Sequence, residues 1–207
     1  MRAALRTAAV LALAVPLGAS ALPASAATPS HVRDRGAFAE TYLSGEGTPG
    51  GLPGNYSLGQ LTFYGSLVEG VVETFNCEEG QTPYAEEGAC QSAGYYNAFT
   101  EGVTVVAGKG KKSSTTFSGR LDLYDDESEA DGPAATDVPF SITLTPAGRP
   151  SRSRFTESFR DPTSGDSYRF RSTTVVSIAR VHGELDGIDA TEGLVGRYSF
   201  HGIERVS

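Results

Sequence analysis

In residues 138–145 every second residue is apolar: Val138, Phe140, Ile142 and Leu144 alternate with Pro139, Ser141, Thr143 and Thr145. Phe117, Leu121 and Leu123 alternate in the same way with Ser118, Arg120 and Asp122. A period of two is what a strand with one dry and one wet face requires, and a helix cannot seat it. One wet face also points to antiparallel pairing, because parallel strands are buried on both sides. Helical spacing is scarce elsewhere, and Gly, Thr, Ser, Val, Tyr and Phe dominate.

Further strands are predicted at residues 36–43, 58–77, 95–107, 152–159, 168–183 and 194–206. They are separated by Gly-, Pro- and Ser-rich connections at 45–55, 108–112, 146–151 and 161–166. The acidic stretch 125–137, with Gly132-Pro133, reads as a solvated hairpin loop. Gly65 and Gly70, inside the longest segment, are expected where a strand bends or bulges. About eight such strands close into a small antiparallel barrel, which removes exposed edges; a two-sheet sandwich is the alternative.

The first residues carry a different signal. Arg2 and Arg6 precede an apolar run at 8–17, and Ala24-Ser25-Ala26 offers the small residues that signal peptidase cuts. Residues 1–26 are therefore read as a secretory leader, 27–35 as a flexible arm and 36–207 as one β domain. No later run reaches the roughly 18 apolar residues of a membrane-spanning helix, so the cleaved chain is expected to be extracellular and free of the membrane. The formal charge of −8 becomes about −10 once Arg2 and Arg6 are removed with the leader. That excess opposes nucleic acid and anionic lipid as partners. Arginine is nevertheless concentrated, with six between Arg149 and Arg171. They form either a local anion-facing patch or solvated strand faces.

Cys77 and Cys90 are the two cysteines, and in an oxidising compartment they read as one structural disulfide stapling the loop between them. The segment VHGELDGIDATEGLVGRYSFHG, residues 181–202, carries Gly183, Leu185, Gly187, Gly193 and Gly196. It resembles the glycine-punctuated last strands of small barrels of the allene oxide cyclase and dirigent type. The resemblance implies a barrel of about eight strands with a ligand cavity and carries over no catalytic residue. The Gly-Thr-Gly usual there is replaced, since Glu184 and Leu185 follow Gly183.

No nucleophile elbow, zinc-protease helix motif, phosphate loop or dinucleotide fingerprint is present. No cofactor is expected. His31, His182 and His201 lack a third metal ligand, and the partial EF-hand pattern at Glu127, Glu129, Asp131 and Gly132 has Val138 where its closing acid belongs.

The remaining oddity is RFTESFR, residues 154–160, where Glu157 shares a strand face with Phe155 and Phe159. Glu69 between Leu67 and Val71, and Glu101 between Phe99 and Val103, repeat the arrangement. Tyr168, Phe170, Val176 and Ile178 share a face with Arg180 and His182. If those faces point inward, the carboxylates need water, a counter-ion such as Arg180, or a ligand. The expectation is thus a binding module whose cavity holds a small, partly apolar ligand or an extracellular polymer, with Glu69, Glu101, Glu157, Arg180, His182 and Tyr168 as ligand-binding residues. Two alternatives are a motif-free isomerase or cyclase moving a proton with a cavity Glu or His, and an inhibitor or interaction protein acting through the Cys77–Cys90 loop. A filled interior would favour the last.

Overall fold

The computed structural model describes residues 30–84, 89–109, 113–126 and 132–205. The leader, with its cleavage site, and most of the EF-hand-like stretch lie outside them. The strands are β1 (Ser30–Glu46), β2 (Tyr56–Tyr64), β3 (Leu67–Cys77), β4 (Cys90–Thr100), β5 (Thr104–Ala107), β6 (Thr115–Asp125), β7 (Ala135–Pro146), β8 (Ser151–Arg160), β9 (Ser167–Leu185) and β10 (Ile188–Arg205). A single turn of 3-10 helix, Pro49–Gly51, lies between β1 and β2. The chain is all-β, as its alternation requires.

All pairings are antiparallel and belong to one sheet. Its order runs β10-β1-β2-β3-β4-β6-β7-β9, and β9 pairs with β10 again, so the path returns to its start through eight strands. β5 adds to β6, and β8 adds to the first half of β9. The predicted segment 58–77 is the hairpin β2–β3: Gly65 takes φ +63° in the turn between Tyr64 and Leu67, so the chain reverses there where a bend was expected. Ser30 to Arg35, expected within a flexible arm, pair with β10 from Ser30↔Glu204 onward.

The inner face of the ring is apolar and closed. Leu61, Phe63, Val68, Leu121, Leu123, Ile142, Leu144 and Leu185 are fully buried, and Leu121, Leu123, Ile142 and Leu144 come from the two strands whose alternation was legible. Phe63 stacks on Phe117 with ring centroids 4.3 Å apart and meets Phe140 at 6.1 Å. Two of the three buried hydroxyls are satisfied by backbone carbonyls: Thr41 Oγ1 donates to that of Glu192 at 2.9 Å and Ser57 Oγ to that of Gly47 at 2.8 Å, while Thr74 Oγ1 has no hydrogen-bond partner among the described residues. Gly183 (φ +128°) lets β9 lie close against its neighbour β7, since a Cβ there would lie 1.9 Å from the Ser141 carbonyl oxygen. The disulfide joins Cys77 and Cys90, which are register partners at the end of β3 and β4.

Four strands continue past the ring as an arm. The first half of β1, the second half of β10, the first half of β9 and all of β8 pair side by side from Ala37↔Arg197 to Arg160↔Ser167. The hairpin tip, Asp161 to Asp166, is closed by Asp161 N–H donating to the Asp166 carbonyl at 2.9 Å. The Asp161 carboxylate accepts from the backbone N–H of Thr163 at 2.7 Å and of Ser164 at 3.3 Å, which holds its carboxyl below the usual range.

Candidate functional site

The six predicted ligand-binding residues do not converge. Glu69, Glu101 and Glu157 are exposed, as are Arg180 and His182, and Tyr168 is half-buried. On β9 the even positions face outward along the ring, because Ala179 and Leu185 at odd positions point in. Arg180 and His182 therefore stand outside, opposite Thr145 and Thr143 of β7. Glu69 projects outward between the buried Val68 and the inner face at Val72. The face-sharing read for Glu69 and Glu157 holds, but the shared face is the outer one; Glu101 lies past the end of β4 at Thr100, where Phe99 is exposed and Val103 buried. The reason is packing: Leu61, Phe63, Val68, Val72, Ile142, Leu144 and Leu185 already fill the ring, and leaving a carboxylate in that interior would cost several kcal/mol.

His182 borders a hollow of about 650 Å³ where β9 and β10 part. Their pairing passes from Asp189↔Glu184 to Gly193↔Ala179, leaving three residues of β10 against four of β9. Ser141, Thr143, Glu184, Asp189 and Thr191 complete its rim. Among the described residues no group of three metal-ligating side chains forms. His201 meets His31, with stacked rings 5.6 Å apart and Nδ1 of His31 3.4 Å from Nε2 of His201.

The chemistry concentrates on the arm. Register and alternation divide its side chains between two faces. One face, continuous with the ring's interior side through Ala39 and Ala179, carries Arg33 and Arg35 on β1, Arg152, Arg154 and Arg160 on β8, Arg169 and Arg171 on β9, and Arg197 on β10. All eight are exposed. Successive cross-strand rows hold Arg152 with Arg197, Arg154 with Arg35, and Arg171 with Arg33, each row including half-buried or exposed Thr, Val, Ser or His partners. Arg35, Arg197, Thr173 and Ser199 border a shallow hollow of about 320 Å³ on it. Among the described residues none of Arg33, Arg35, Arg152, Arg154, Arg169, Arg171 and Arg197 is in an ion pair, and Arg160 Nε donates to the Gly165 carbonyl at 3.2 Å. The His31–His201 pair lies on this face too.

The opposite face is aromatic. Phe155 meets Phe170 at 5.9 Å and Phe170 meets Phe200 at 6.0 Å, a ladder across three strands. Phe159 meets Tyr168 at 6.3 Å. Phe155 and Phe159 are each 55% exposed. Gly36 and Gly196 make room for the rings of Tyr198 and Phe38, which a Cβ would approach to 2.8 and 2.5 Å. The charged residues on this face are Asp34, Glu157 and Glu204, all acidic.

Five of the eight arginines fall in the arginine-rich segment 149–171 legible in the sequence, but the face they form was not, and Arg33, Arg35 and Arg197 add to it from distant strands. The signal was available in the alternation Arg152, Arg154 against Phe155, Phe159: a strand with arginines on one side and a glutamate on the other cannot be buried on either. No family model matches this chain, and no curated protein or solved structure matches it either.

Proposed function

We propose that the protein is a secreted binding module that holds an anionic extracellular polymer along the guanidinium face of its arm, with the eight-stranded ring acting as a small barrel that anchors that face. The observation that carries this reading is eight exposed arginines on one face of four paired strands, in a chain whose formal charge is −8. Holding like charges together in rows is unfavourable unless counter-charge arrives, and a polymer with repeated anionic groups supplies it in register with the rows. Guanidinium groups suit the task, since their planar forks bind carboxylate, sulfate or phosphate oxygens in pairs.

An acidic polysaccharide fits better than a nucleic acid. Single-stranded nucleic acids are held by aromatic platforms interleaved with basic groups, and here the rings lie on the other side of the sheet. The cavity form of the expectation loses its support because the ring is filled, and the proton carriers of the isomerase reading stand in solvent.

The experiment is retention of the purified chain on heparin and on polygalacturonate, against neutral dextran, over a salt series. Retention on both charged polymers, falling steeply with salt, is expected, and Arg35→Gln with Arg154→Gln and Arg171→Gln should weaken it roughly tenfold or more. Equal retention on dextran, or no effect of the three substitutions, would refute the reading.

A second reading rests on Tyr84, 75% exposed in the loop between Cys77 and Cys90. There the protein would inhibit a protease that accepts large aromatic side chains. Chymotrypsin inhibition lost in Tyr84→Ser would support it.

A further inference from the structure

We infer that the aromatic face of the arm docks a second copy of this chain, on that copy's guanidinium face, so that copies associate head to tail. This does not rest on polymer capture, although both use the guanidinium face.

The two faces differ in the sign of their charge. Asp34, Glu157 and Glu204 are the charges on one face, and eight arginines with His31 and His201 occupy the other. Packing two aromatic faces together would set three carboxylates against three, and packing two arginine faces would set eight guanidiniums against eight. Only unlike faces bring opposite charges together. The rings add to this, because Phe155 and Phe159, each 55% exposed, present π faces on which guanidinium groups stack well.

Shape follows from the covalent construction. The two surfaces are opposite sides of the same four strands, so they share footprint and twist, and sheets with matched twist pack aligned. Ten residues by four strands gives roughly 600 Å² a side, near the lower end of specific interfaces. The contact is therefore expected to be concentration-dependent. It is also heterologous: the surface that docks differs from the surface that receives, so each added copy covers one of its faces and leaves the other free, and growth continues unless it is capped.

Sedimentation velocity on the full chain, with variants reversed on one face, tests this. Asp34→Lys with Glu157→Lys reverses the aromatic face; Arg154→Glu with Arg171→Glu reverses part of the other. All four positions are exposed, so the fold should persist. The unsubstituted chain should sediment faster as its concentration rises at low salt, and each double variant alone should associate roughly tenfold more weakly or less. An equimolar mixture of the two variants should associate more strongly than either alone, because each supplies the face the other lacks. The first variant should still be retained on heparin, which separates this inference from polymer capture. An unsubstituted chain that stays monomeric at millimolar concentration overturns the inference. So does self-association of the arginine-reversed variant as strong as that of the unsubstituted chain, which would mean that the guanidinium face takes no part.

Discussion

Phe63 and Phe117 stack 4.3 Å apart at the centre of the ring, where β2 and β6 face each other without being hydrogen-bonded neighbours. The contact reaches across the interior, which makes it a direct measure of how solid that interior is. Phe63→Ala should lower stability by about 3–5 kcal/mol, read as a shift in the denaturant midpoint with little change in slope. A cost below about 1 kcal/mol would mean that the ring holds space or solvent.

Gly183 is the position where β9 is least tolerant. Its positive φ and the Ser141 carbonyl 1.9 Å from an added Cβ act together. Gly183→Ala should therefore cost about 2–4 kcal/mol in thermal or chemical unfolding, whereas Gly187→Ala, which has a positive φ but open space around it, should cost less.

The disulfide closes a loop of sequence separation 13 between residues already paired in the sheet. Removing it through Cys77→Ser and Cys90→Ser should destabilise by about 3 kcal/mol while leaving the strand content seen by circular dichroism.

Alkaline pH offers a test with an optical readout, because the chain has nine tyrosines and no tryptophan. The Tyr42 phenol is pushed up to about 12, chiefly by its hydrogen bond to Glu40, then by burial and by the charges of Glu40 and Glu192. Tyr64, Tyr96, Tyr168 and Tyr198 are raised as well, each mainly by burial. A folded-state value above the unfolded one favours the fold below the unfolded value and loses that contribution as pH climbs. Stability should thus hold to about pH 10 and fall between 10 and 12. Phenolate absorbance should lag the titration of the unfolded chain; coincident curves would contradict these environments.

How much of this was written in the sequence depends on the strand. β6 and β7 were legible because one face is wet and the other dry, so period and burial agree. For β8 the period was also legible, and Phe155, Glu157 and Phe159 do share a face. What misled was the assumption that an aromatic face turns inward. β8 lies outside the ring, a fact set by the long-range pairing of β9 with both β7 and β8, which no local pattern records. The guanidinium face was hidden for the same reason: Arg33 and Arg171 meet in one row only through the registers of β1 and β9 on β10.

β9 and β10 run 19 and 18 residues without interruption from the ring into the arm. A pull on the arm is therefore carried along the backbones of these two strands into the filled ring. Neither strand is interrupted between the ring and the arm, so the two are joined stiffly, as a handle forged in one piece with the tool.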